Sequence, residues 1–383
     1  MSRLLLSLST FVLLAVGATP GADDWATPIN LSQSLLSSDG ASLAVDGQGK
    51  VLVSWSEDMG TQVDIFYSVQ ETDGWTPPAA IAETPGYSGC SSLAAGQGGA
   101  IHAVWDDSSP GLNSLVYSVW DGQSWTSPVS ILPDPRSINC PRVAVDSTGS
   151  PHVVWQDWSD GQIYHSVKSA AGWSQPQVLS LYDADPDSTY FLPQLAAGEE
   201  DKVYVVWYGS SYSHSGAFFA GCAAAVCTMG APIPAADGAN NPAIAVDGLG
   251  RLHVIWNHGD VYYSRSDDGG ISWSPPEPLP ALPGTPYSKA IRTDGFNRPH
   301  VVWEEEVEVG DDQVAYVAWT GASWSAPVRL SIGPEAYVLQ SLAIDAYNQV
   351  HVAWTEWMTD TGEILYAARS DLYPRVYLPL VLR

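Results

Sequence analysis

Seven tryptophans close short apolar runs in this chain, and the residue two places beyond each is Glu57, Asp107, Asp157, Gly209, His258, Glu305 or Glu356. Five carboxylates and a histidine at one recurring position could hold a cation, orient hydroxyls or supply a general acid, because clustered like charges shift one another's proton affinity. Asp107, Asp157 and Glu305 are the candidate catalytic acids. The same residues could equally be the solvated starts of loops. Nearby in sequence stand Trp158, Tyr208, Tyr212 and Trp357, whose flat faces could stack on sugar rings while carboxylates and amides take the hydroxyls. Five further histidines, His102, His152, His253, His300 and His351, each lie three residues before a tryptophan. Spread one per repeat, they cannot converge on one ion and are expected to be structural, so no metal site is assigned.

The elements that must position these groups follow from the spacing. The tryptophans are Trp55, Trp105, Trp155, Trp207, Trp256, Trp303 and Trp354, separated by 50, 50, 52, 49, 47 and 51 residues. A near-constant period with several short strands per unit is the pattern of an all-β, seven-bladed β-propeller with four-stranded antiparallel blades. The clearest repeat, Asn241 to Pro276, holds three runs rich in Val, Ile, Tyr and Trp, at Ala243–Val246, Leu252–Trp256 and Val261–Ser264. First strands end in turns led by Asp46, Asp146, Asp247, Asp294 or Asp345, whose side chains can accept from the backbone ahead, with Gly or Asn at the fourth position for a positive φ. Trp25, in the segment Trp25–Ser32, copies Trp324–Ser331, while the seventh repeat lacks its own closing tryptophan after Tyr366. The N-terminal segment is therefore expected to supply the outermost strand of the last blade, pairing two otherwise open edges.

The octet Ser266-Asp267-Asp268-Gly269-Gly270-Ile271-Ser272-Trp273 fits S-x-D-x-G-x-[ST]-W at Ser266, Asp268, Gly270, Ser272 and Trp273. It resembles the Asp box of the BNR repeats in sialidase-like β-propellers. The resemblance spans nearly the whole chain between its two ends. It implies that the Asp boxes and the turns after first strands share one face, and that ligands bind the opposite one, where the carboxylates would surround the central opening. Catalytic members of that family carry three arginines, the first in an R-I-P motif, and this chain has no R-I-P. Arg251, Arg265, Arg298 and Arg369 fall at turns or box ends on the other face, Arg292 sits two residues above such a turn, and only Arg136 and Arg142 are placed near the ligand face.

Met1 to Gly17 has a charged start followed by an apolar stretch, and Ala18 and Ala22 offer small residues for cleavage, so residues 1–22 read as a secretory signal peptide. The propeller is assigned to 23–370 and a C-terminal tail to 371–383, either for attachment or packed on the last blade. The protein is expected to be secreted or surface-exposed, monomeric and not membrane-spanning. In such a compartment Cys222 and Cys227, flanking a tight turn, read as a local disulfide. Cys90 and Cys140 occupy equivalent places on neighbouring repeats and either pair or stay apart. A formal charge of -27 argues against nucleic acid, which needs clustered Lys and Arg. No cofactor is expected, calcium being the one ion the carboxylates could accept.

Two functions fit these features. One is a non-catalytic, lectin-like protein that binds a glycan or another extracellular or cell-surface partner through the loop face. The other is a sialidase-like glycoside hydrolase or lyase, which would need two of the carboxylates about 5 to 9 Å apart across a cleft.

Overall fold

A computed structural model describes residues 25–110, 114–180, 189–210, 215–228, 231–308, 311–331, 335–358 and 361–369. The segments read as signal peptide and tail, and Tyr212, lie outside the described residues. Seven antiparallel blades form a propeller, and their inner strands are Ser38–Val45, Ser88–Ala95, Ile138–Val145, Thr189–Ala197, Asn240–Val246, Thr285–Thr293 and Glu335–Ile344. Blade 5 is representative. Its inner strand pairs with Leu252–His258, that strand with Asp260–Ser266, and that with the two-residue outer strand Glu277–Pro278. These strands extend the apolar runs of the sequence by two or three residues, because the polar ends are held by ladder bonds that hydrophobic pattern does not register.

The last blade closes as expected. Ile29 pairs with Tyr366 and Asn30 with Leu365, continued by the backbone bonds Ala26 N–H to Ala368 at 2.9 Å and Leu31 N–H to Ile364 at 2.7 Å. Ser32 Oγ donates to Glu363 at 2.6 Å, and the Trp25 ring meets Tyr316 of blade 6 edge-on at 5.0 Å. Equivalent contacts recur around the ring: Trp75 on Tyr366, Trp125 on Tyr67, Trp173 on Tyr117 and Trp324 on Tyr263. Each closing tryptophan thus lies against an aromatic ring of the preceding blade. Between blades 3 and 4 the pair is exchanged: Cys227, bonded to Cys222, takes the tryptophan's place, and His165, 3.3 Å from its sulfur, takes the tyrosine's.

The seven repeat tryptophans are at most 2 % exposed and form the largest side chains of the clusters between blades. Burying an aromatic side chain removes about 150–250 Å² from water, roughly 4–6 kcal/mol each as an upper estimate. The repeated histidines are built into the same interfaces. His253 stands between Asp247 (3.1 Å) and the Tyr263 hydroxyl (2.8 Å), and His152 between Asp146 (3.1 Å) and His165 (2.9 Å). His102, His300 and His351 meet Tyr117, Tyr316 and Tyr366 in the same way. Burial lowers His102 to about 4 and moves His152, His253 and His300 in the same direction, favouring the neutral ring.

All seven inner strands carry a register shift near their loop-face end. Gly40, Cys90, Cys140, Leu192 and Asn241 occupy it with φ of 73°, 50°, 36°, 55° and 44°, the geometry of a β-bulge. Cys90 and Cys140 are therefore bulge residues of neighbouring inner strands, which converge toward the axis. Their Cα atoms come within 4.8 Å and a disulfide joins them, resolving the pairing that spacing alone leaves open.

The Ser266–Trp273 turn is self-bonded. Asp268 accepts from Ser266 Oγ (2.8 Å), Ser272 N (2.9 Å) and Ser272 Oγ (2.5 Å), and Gly270 N–H reaches Ser266 Oγ at 2.8 Å. Those bonds, first of all the Ser272 hydroxyl, hold the exposed Asp268 carboxyl down at about 2. Gly270 is required twice over: its φ is +93°, and a Cβ there would sit 2.3 Å from the Phe219 ring.

Candidate functional site

The recurring carboxylates do not surround the central opening. Residues i and i+2 of a strand share a face, so each carboxylate lies beside its own tryptophan inside the blade interface. Indole Nε1 donates from Trp55 to Glu57 at 2.7 Å, from Trp105 to Asp107 at 3.2 Å, from Trp303 to Glu305 at 2.7 Å and from Trp354 to Glu356 at 2.8 Å. Glu57 also accepts from the hydroxyls of Ser34 and Ser38, and Asp107 from Ser88 and the Ser109 N–H. Glu57, Asp107, Glu305 and Glu356 are all buried. Their acceptor capacity is directed into the scaffold.

Two of the set differ. Burial raises Glu305 from its ordinary value, offset in part by the Trp303 indole and the Leu282 backbone N–H. Asp157 leaves the Trp155 indole unpaired and instead accepts from Arg136 at 2.8 Å and from the Ser159 N–H at 2.9 Å. Burial acts to raise Asp157, but those bonds outweigh it and hold the carboxyl below its ordinary value.

On the loop face, blade 3 carries an exposed tryptophan and a charged cluster around Tyr164. Trp158 follows Asp157 and is 56 % exposed, its N–H tied to the Ser137 carbonyl at 2.8 Å. The Arg136 guanidinium lies 5.5 Å over the Tyr164 ring, and the Tyr164 hydroxyl donates to the exposed Asp160 at 2.7 Å. Tyr164 is itself stacked on Trp155 at 5.7 Å. A guanidinium and a carboxylate are thus presented at the half-buried Tyr164 ring, and the exposed Trp158 stands on the turn that leads into the strand of that ring.

The other nominated residues are not gathered there. Tyr208 is half-buried on blade 4, stacked on Phe191 at 6.1 Å with its hydroxyl 3.1 Å from Ser215. His258 is exposed on blade 5, where a Cβ at Gly238 would meet its ring at 2.9 Å. Trp357 is half-buried on blade 7.

Arg142 lies on no loop. It lines the central channel, and so does Arg292, which sequence reasoning had set near the opposite face. The bulges turn these inner-strand positions into the lumen, which a turn-to-turn reading of sequence does not reveal.

Three loop-face residues escaped the sequence reading. Tyr87 and Tyr287 are exposed at 51 % and 40 %, the latter bonded to Glu306 at 2.8 Å. Asp106, beside the nominated Asp107, is raised to about 6 by burial first and by the Asp107 charge. The tyrosines sit where inner strands begin, a position that carries no repeat signature.

No protein-family model and no curated protein matches the sequence. Solved structures with the same architecture do. A fungal alcohol oxidase in complex with copper aligns at TM-score 0.57 and 12 % identity, over 90 % of this chain and 76 % of that one. The α-L-arabinanase of Penicillium chrysogenum aligns at 0.54 and 12 %, over 91 % and 98 %. A Hadza microbial sialidase aligns at 0.49 and 13 %, over 90 % and 68 %. At such identities the first two establish the β-propeller and nothing of its chemistry. Among the described residues no helix is long and apolar enough to cross a membrane.

Proposed function

We propose that this chain is an exported, monomeric carbohydrate-binding propeller that holds a glycan, free or on an extracellular or cell surface, without turning it over. The observations that support the reading lie on the loop face of blade 3, where Trp158 is exposed and Arg136 and Asp160 flank the Tyr164 ring, while Glu57, Asp107, Glu305 and Glu356 are tied to indole donors. Stacking on an exposed indole with charged groups at its edge is how a sugar ring is bound from a rigid scaffold. No metal is needed, so binding is expected to survive chelation of calcium. A glycan array probed with the full chain tests this. Retention of one glycan class, lost in Trp158→Ala with unfolding unchanged, supports it; equal retention by Trp158→Ala overturns the assignment to blade 3.

A second reading, glycoside hydrolysis, is favoured by Asp106, whose carboxyl is raised to about 6 next to Asp107 and the exposed Tyr87. A group protonated near neutrality is what a general acid requires. Sugar release from 4-methylumbelliferyl glycosides that disappears in Asp106→Asn would establish that reading in place of the first. Asp107 and Asp157 are weaker catalytic candidates, being committed to Trp105 and Arg136.

A further inference from the structure

The central channel carries a cluster of cations that the repeat does not call for. Opposite the residue three places before each repeat tryptophan, six inner strands present alanine: Ala44, Ala94, Ala144, Ala196, Ala245 and Ala343. Blade 6 presents Arg292 at that position, opposite His300. Two residues nearer the loop face, where the other strands have Ser, Gln or Ala, blade 3 presents Arg142 opposite Val154. One step higher on blade 6 is Lys289, opposite Trp303. At about 3.4 Å of rise per residue the three positions span roughly 10 Å of channel.

Among the described residues these cations have no carboxylate partner. Arg142 reaches only the Pro141 carbonyl, at 3.2 Å, and Arg292 the Ile291 carbonyl, at 2.8 Å. Lys289 Nζ bonds Asn257 Oδ1 at 2.5 Å and the Tyr287 carbonyl at 3.4 Å. The rest of the lining is neutral: serines 42, 91, 92 and 341, Gln194 and aliphatic side chains. The charges feel one another, since burial and then the Arg292 charge bring Arg142 down to about 10, and burial alone drives Lys289 well below its ordinary value. In a chain of formal charge -27, cations gathered in one lumen with no acid among the described residues call for a counter-charge from outside the chain.

The channel has room for a small counter-ion at this point. All three line a chamber of about 90 Å³ that shares Arg292, Val143 and Leu342 with a wider one of about 290 Å³ along the same channel, room for a small anion and its waters. We propose that the channel binds one small inorganic oxyanion of the sulfate or phosphate class, held by the guanidiniums of Arg142 and Arg292 and the ammonium of Lys289, with channel hydroxyls completing its shell. Planar guanidiniums suit an oxyanion because each can donate two parallel bonds. The site is independent of the loop-face reading and stands whether or not a glycan binds there.

The test uses the full chain, freed of multivalent anions by dialysis, in titration calorimetry and thermal unfolding with sulfate, phosphate and chloride at matched ionic strength. The expected result is one sulfate or phosphate per chain and a raised melting temperature, with chloride far weaker. Arg292→Ala restores the residue of the other six blades, so the fold tolerates it. It should weaken binding by roughly tenfold or more, the loss of a charge-assisted contact. Without anion it should melt no lower than the parent, because a repelling charge has been removed. A surface control, Lys50→Ala, should leave binding unchanged. The proposal is overturned if neither anion binds, if Arg292→Ala binds as the parent does, or if a sulfated monosaccharide binds through Arg292 while free sulfate does not.

Discussion

The hydrogen bond from indole to carboxylate can be isolated by making one substitution at two places. Trp354 and Trp207 are both fully buried on second strands of the ring. Trp354 Nε1 donates to Glu356 at 2.8 Å, whereas Trp207, with Gly209 two places on, has no partner for its Nε1 among the described residues. Changing either tryptophan to phenylalanine removes similar apolar volume, so the packing loss is shared. Trp354→Phe also takes a donor from a buried carboxylate, and a hydrogen bond to a charged group is worth about 1.5–3 kcal/mol. Trp207→Phe instead removes a buried donor with no acceptor, which offsets part of its packing loss. Trp354→Phe should therefore be the more destabilising by about 2 kcal/mol, read as the difference in unfolding free energy from urea titrations followed by circular dichroism. Adding Glu356→Gln to Trp354→Phe should recover part of the loss, since a neutral amide is cheaper to leave short of a donor than a carboxylate. Equal losses at the two sites, or a larger one at Trp207, would refute the view that the recurring carboxylates serve the blades.

Removing the latch should matter at the opposite end of the chain. Trp25→Ala, which strips the ring packed on Tyr316, is expected to cost about 3 kcal/mol or more and to raise hydrogen exchange in Thr361–Arg369 before other strands. The two disulfides should rank by loop length. Cys90→Ser with Cys140→Ser opens a separation of 50 residues and should cost about 4 kcal/mol, against about 2 kcal/mol for the separation of 5 between Cys222 and Cys227; paired unfolding curves check the order. Acid should act through the buried histidines. The folded His102 titrates at about 4, below its ordinary 6.5, so the unfolded chain takes the proton first. Its stabilisation is complete above 6.5 and is lost as pH falls from 6.5 to 4, by up to about 3 kcal/mol. His102→Gln should flatten that segment of the stability curve.

What the sequence determined by itself was everything periodic. Seven tryptophans at one spacing set the number of blades, and the copy of Trp324–Ser331 found at Trp25–Ser32 set how the ring closes. The octet Ser266–Trp273 carried its turn within itself, because every bond of Asp268 falls within four residues. These features were legible because local chemistry repeats wherever the local sequence does.

Tertiary structure alone decided which way the repeated positions face. Strand alternation puts a carboxylate two residues past a tryptophan on that tryptophan's face, and only the packing of one blade on the next turns that face away from the lumen and buries the bond to the indole. Cys90 meets Cys140 because bulged strands converge at the axis. Arg142, Lys289 and Arg292 lie up to 150 residues apart in the chain and share one chamber for the same reason. Closing a ring brings together residues that period keeps apart, and the contacts across its axis have no counterpart along the chain.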